Sequence, residues 1–199
     1  MKKIVLILTI GVLCSTSVRA GLCSFDRVTN NSVVNIEGQL SVDVYSVGDD
    51  VAFKFYNNGP VASSISEIYF YDGVLLDMSS VDDTCEGVDY EDIGNKTSPK
   101  TLSGYDPDPA LLEVFSAIEA ESPEPAYGIK PGDWLTITYT LQLGKTYQDL
   151  VADLASGEVV VGIHVKSIGA GATSDSFITP EPATMALLAL GGLLIRRKK

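Results

Sequence analysis

The chain has 199 residues and a formal net charge of −12, with aliphatic, aromatic and cysteine residues making up 45% of it. That is enough apolar material for one packed domain. Between residues 21 and 179 the sequence holds seven cations (14 in all, less Lys2, Lys3, Arg19 and the four at 196–199) against 25 acids (26 less Glu181). A body so negative repels phosphate backbones, which excludes nucleic acid as a partner.

The amino end has three parts in order. Lys2 and Lys3 are followed by an apolar run, Ile4 to Cys14, and then by Val18-Arg19-Ala20. This is the pattern of a secretory signal peptide over residues 1–20, expected to be helical, with the cut between Ala20 and Gly21. No lipobox precedes Cys14 or Cys23, since Leu13 and Leu22 stand where a small residue is needed. Removal of the signal leaves two cysteines in an oxidising compartment, so a Cys23–Cys85 disulfide is expected. It would close a loop worth roughly 4 kcal/mol in the chain-entropy account.

Residues 21–168 read as one mainly β ectodomain. Leu40, Val42 and Val44 alternate with Ser41, Asp43 and Tyr45, and Val51, Phe53 and Phe55 alternate with Ala52, Lys54 and Tyr56. Period two marks half-buried strands. A four-residue loop, Val47-Gly48-Asp49-Asp50, joins them and sets Val44 against Phe53, Val42 against Phe55 and Asp43 against Lys54. A third strand is predicted over Ile65–Tyr71 and a short fourth from Leu75. The run 82–109 reads as a long loop with one or two brief strands, 112–118 suits either strand or helix, and 121–131 is a turn-rich connection. Trp134–Leu143 alternates most clearly. One helix follows, with Thr146 as its cap, Asp149 near the positive end of the dipole, Gly157 as its close, and a stripe of Tyr147, Leu150, Val151 and Leu154. A last long strand covers 158–168, and the Gly-, Ser- and Ala-rich stretch 169–179 reads as a flexible tether. Many short strands and one short helix predict an antiparallel β-sandwich, jelly-roll-like.

Candidate chemistry in this domain is sparse. His164 is the sole histidine, so a two-histidine metal site is excluded, and there is no G-x-S-x-G elbow. Asp82, Asp83, Glu86 and Asp89 lie in an acid-rich run that offers oxygen ligands for a weak Ca²⁺ site, without EF-hand spacing; no other cofactor is implied. Thr136, Thr138 and Thr140 suit the outer face of a strand. Tyr45, Tyr56, Tyr69, Tyr71 and Trp134 would form a sugar-stacking platform if two or three lay exposed on one face. A glycoside hydrolase is the remaining alternative, since an acid-rich sandwich offers carboxylate pairs, but no residue set points to an enzyme.

At the carboxyl end, Pro180-Glu181-Pro182 is followed by thirteen mostly apolar residues, Ala183 to Ile195, and then Arg196-Arg197-Lys198-Lys199. As a transmembrane helix the apolar run would span about 20 Å, short of a ~30 Å hydrocarbon core. The terminal cations would hold that end on the cytoplasmic side, with the domain outside. Residues 180–199 resemble the PEP-CTERM sorting tail. The resemblance implies recognition at Pro180, Glu181 and Pro182 by an exosortase, an integral-membrane cysteine transpeptidase-like enzyme. It further implies a precursor held in the inner membrane, then surface display or secretion, and an association with exopolysaccharide, as a matrix component or as a carbohydrate-binding module. The stretch from Val51 to Gly73 is similar to an ectodomain type that recurs among PEP-CTERM proteins.

Overall fold

The computed structural model describes residues 19–71, 74–92, 101–107 and 112–180. The expected signal helix and transmembrane helix lie outside them. The described residues hold eleven strands: β1 Arg19–Ser24, β2 Asp26–Arg27, β3 Leu40–Val47, β4 Asp50–Asn57, β5 Ser64–Tyr71, β6 Leu75–Asp82, β7 Tyr90–Asp92, β8 Val114–Ala120, β9 Trp134–Leu141, β10 Val160–Ile168 and β11 Thr173–Ile178. They also hold two α-helices, α1 Glu124–Tyr127 and α2 Tyr147–Ser156, and two short 3-10 turns, Glu37–Gln39 and Gly169–Gly171.

A five-stranded sheet runs β1-β3-β4-β9-β6 and a six-stranded sheet β2-β11-β10-β5-β8-β7, with antiparallel pairing throughout. These orders establish two antiparallel sheets and carry the expected jelly-roll winding no further. The sheets bury one face each against the other. Phe53 of β4 meets Phe70 of β5 edge-on at 5.0 Å, and Tyr139 of β9 meets Phe70 at 4.7 Å. Such edge contacts add to the area buried by each ring. Tyr139 is fully buried and donates its hydroxyl to Ser116 Oγ at 2.9 Å, so its polar end is satisfied inside the core.

The β3–β4 register is the expected one, with Val44 opposite Phe53, Val42 opposite Phe55 and Asp43 opposite Lys54. The loop is tighter than predicted. Val47 and Asp50 still pair, which leaves only Gly48 and Asp49 between the strands. Gly48 takes φ +63°, a conformation that a two-residue hairpin demands of its first central residue.

The helix α2 forms as its local signals require. Thr146 Oγ accepts from Asp149 N–H at 3.3 Å, and the Asp149 carboxylate accepts from Thr146 N–H at 2.8 Å, a reciprocal capping box. Gly157 closes the helix in the left-handed region. Leu150 is wholly buried, and Tyr147 donates its hydroxyl to Val44 O at 2.9 Å.

Three segments differ from expectation. Residues 114–120 are strand, settling the ambiguity there, and α1 stands within the expected turn-rich connection. The stretch 169–179 is not a tether. A 3-10 turn over Gly169–Gly171 leads into β11, which lies between β10 and β2 inside the six-stranded sheet. Phe177 is fully buried and Ile178 nearly so, so burial of two apolar side chains and pairing on both edges override a loop-like composition.

Candidate functional site

Because β11 is an interior strand, it carries the fold to the threshold of the Pro180-Glu181-Pro182 motif. Thr179 N–H donates to Val161 O at 2.8 Å, and Val161 N–H donates to Thr179 Oγ at 3.1 Å. Pro180 is buried. The motif therefore begins one residue past a hydrogen-bonded strand; Glu181 and Pro182 lie outside the described residues.

A polar clasp fixes β11 from the amino-terminal side. β2 pairs with it, Arg27 opposite Phe177 and Asp26 opposite Ile178. The Asp175 carboxylate is fully buried and ion-pairs with Arg27. It also accepts from Thr29 Oγ at 3.0 Å, Asn31 N–H at 2.7 Å and Ser32 N–H at 3.1 Å. Burial alone would raise the pKa of this carboxyl. The donors from Asn31, Arg27, Ser32 and Thr29 outweigh burial and hold it below its ordinary value. These contacts tie β2 and the segment after it to β11.

Comparison with protein families matches the model of the PEP-CTERM protein-sorting motif to residues 179–199. The chain carries a PEP-CTERM protein-sorting motif at those residues. That motif indicates an exported protein, anchored at the membrane before cleavage, and implies an exosortase as processing partner. Comparisons with curated proteins and with solved structures gave no match. Among the described residues no helix is long and apolar enough to cross a membrane; Ala183–Ile195 lies outside them.

The other sequence-derived sites fare differently. Ala20 and Gly21, the expected cleavage pair, fall within β1, and Gly21 pairs with Val44 of β3. Cys23 and Cys85 do not form the expected disulfide. Cys23 is on β1, at one edge of the five-stranded sheet, and Cys85 follows β6, at the other edge. Four strand spacings of ~4.8 Å separate those edges, whereas bridged Cα atoms lie within about 7 Å. Burial, with the nearby Asp43 charge, pushes the Cys23 thiol pKa up and makes it a poor nucleophile.

The expected calcium site is not assembled. No group of three or more His, Cys, Asp or Glu side chains able to hold a metal ion occurs among the described residues. Asp82 ends β6 and turns its carboxylate onto Thr84, accepting from its N–H and its hydroxyl at 3.3 and 2.8 Å. Asp89 instead belongs to the approach to β7 on the other sheet, its N–H bonded to Tyr127 O. Neighbours in sequence are thus divided between two sheets.

The aromatic set also divides. Tyr69 and Tyr71 are buried on the six-stranded sheet under Leu102, whose N–H donates to the Tyr71 hydroxyl at 2.9 Å. Tyr45, Tyr56 and Trp134 stand half-buried on the outer face of the five-stranded sheet, Tyr56 directly opposite Trp134. Lys54 on the same face sets its ammonium 3.7 Å from the Trp134 ring centroid and 5.6 Å from that of Tyr56. This cation–π contact joins residues that the sequence reading treated separately. Thr136 and Thr138 continue this face, Thr136 buried opposite Lys54.

His164 occupies the outer face of the other sheet, opposite Glu67, with Nδ1 3.1 Å from Ser176 Oγ. Burial lowers its pKa against the opposing pull of Glu67. Glu67 itself accepts from Tyr69 and lies 2.9 Å from Lys166, which also pairs with Glu124. Sequence reading found none of these carboxylate contacts nor the Asp175 clasp. The residues involved are scattered over five elements, and only the strand order brings them together.

Proposed function

We propose that the exported sandwich is a non-enzymatic component of the cell envelope or extracellular matrix, associated with exopolysaccharide. The signal peptide directs export with a cut after Ala20, and Ala183–Ile195 with its cationic end holds the precursor in the inner membrane. The observation that carries this reading is the sorting motif joined without a spacer to β11, which presents the whole domain at the envelope. The non-enzymatic part draws support from Asp175 and Glu67, whose carboxylates are committed to fixed donors.

Replacing Pro180, Glu181 and Pro182 with alanine tests the sorting step in the native host. Full-length precursor should accumulate in the membrane fraction, because the apolar segment and its cations are untouched. Release like that of the wild type overturns the assignment. A second reading, a carbohydrate-binding module, is favoured by Tyr45, Tyr56 and Trp134 on one sheet face. Glycan-array binding that disappears in Trp134→Ala supports it, and binding unchanged by that substitution overturns it.

A further inference from the structure

The strands run between two ends of the sandwich. At the hairpin end lie the β3–β4 turn, the passage from β9 into α2 and the start of β10; at the crossover end β4 passes to β5. The strand registers place the sorting motif at the hairpin end. Thr179 N–H bonds Val161 O, Val160 pairs with Tyr71 at the close of β5, and Leu75, where β6 opens, pairs with Leu141 at the close of β9. β1 opens there too, with Arg19 opposite Tyr45. The chain thus enters and leaves the sandwich at one end. Pro180, Glu181 and Pro182 are all that stand between Thr179 and the apolar run that begins at Ala183. From Thr179 to Ala183 a fully extended chain reaches about 14 Å. The headgroup zone of a bilayer takes about 6 Å of that. The gap left is about 8 Å, narrower than a single helix. A domain tethered so closely cannot turn this end away from the membrane.

The side chains at this end suit that contact. Leu143, two residues past β9, is wholly exposed at 104%, and Val47, beside the turn, is 48% exposed. The most exposed positions of α2, Gln148, Ala152, Ala155 and Ser156, are uncharged. Lys145 is exposed two residues from Leu143, and a lysine can reach a phosphate while its stem lies along an apolar boundary. Asp49 and Glu158 are exposed at the same end, so anionic headgroups repel this surface as well as attract it. The tether outweighs that repulsion, because a surface held this near the bilayer needs little affinity of its own. We infer that the hairpin end is the membrane-apposed face of the precursor, with Leu143 and Val47 in contact with the phospholipid surface. The inference rests on the membrane-held precursor of the sorting reading and adds an orientation to it, with the crossover end facing away.

The opposite end supplies a matched control. Val33 is 102% exposed and belongs to the crossover end, where its neighbour Val34 lies beside Gly169, whose N–H bonds Ala62 O. The eight residues of β5 separate the two ends by about 26 Å. A photo-reactive benzophenone side chain replaces Leu143, Val47 or Val33 in turn, in the full chain with alanines at 180–182. Native-host membranes with radiolabelled phospholipid are then irradiated. All three positions are exposed, so no replacement removes a core contact. Lipid should couple to the protein at 143 and at 47, with coupling at 33 reduced to the level of unirradiated membranes. Equal coupling at 33 and 143, coupling at 33 alone, or coupling of 143 to a membrane protein without lipid overturns the inference. Fractionation keeps the two ideas apart. A precursor found in the soluble fraction overturns the membrane-held reading and the orientation with it, whereas a membrane-bound precursor without lipid coupling at 143 overturns the orientation alone.

Discussion

At the hairpin end of the sandwich, α2 lies over the core with Leu150 fully enclosed, a reciprocal cap at its start and Gly157 at its close. At the crossover end, by contrast, the surface recedes into a cleft that retains an unpartnered Ser64 hydroxyl and a left-handed Ser167. The first end satisfies its polar groups and buries its apolar ones. The second keeps two unfavourable features side by side, although Asp175, on the strand paired with β10 near that end, is satisfied by four donors. Good local satisfaction is therefore available nearby, and the cleft departs from it selectively.

Substitutions can sharpen or break this contrast. The largest effect is expected from Asp175→Ala, which removes a fully buried carboxylate, strips the half-buried Arg27 of its counter-ion and should lower stability by about 3–5 kcal/mol. Urea unfolding at several pH values adds a sign test. Because the Asp175 pKa is lowered on folding, its contribution is present above the ordinary carboxyl pKa and is lost as pH falls through the folded value. The wild type should thus lose more stability on acidification than the variant; parallel acid limbs would show that the clasp is unimportant. Next, Leu150→Ala should cost about 2–5 kcal/mol through the cavity it leaves, measured by the same unfolding curves. Thr146→Ala should cost about 1 kcal/mol by removing the cap. The smallest change, of opposite sign, is expected at the other end: Ser167→Gly should raise stability by up to about 1 kcal/mol by relieving the left-handed strain. A loss there would mean that the Ser167 side chain holds the fold, and the contrast between the ends would collapse.

The parts legible in the sequence share one property, that their signals are local. Thr146, Asp149 and Gly157 specify α2 within a dozen residues, and alternation with the Asp43–Lys54 pair specifies the β3–β4 register across a tight turn. β11 was illegible because Gly169-Ala170-Gly171-Ala172 and the polar residues after it read as loop, and its partners β10 and β2 supply the order. β2 is two residues long and owes its existence to a strand about 150 residues away. Bulges at Leu75/Asp77 and Met78/Ser80 break the alternation of β6, which hid its full length. The sorting tail was read directly, since motif, apolar run and cations follow one another. The cleft was not, because its lining converges from the β4–β5 connection, β5, α1, the residues before β9 and the end of β10.

The interior position of β11 has a consequence for biogenesis. A chain threaded amino end first across a membrane delivers β2 and β10 before their shared partner, and residues 173–178 emerge only as the sorting tail reaches the translocation channel. Until then Arg27 lacks its counter-ion and one edge of β10 is open. Completion of the domain and arrival of the sorting motif are thereby nearly simultaneous, and a chain ending short of residue 173 would lose the Asp175 clasp and the motif together.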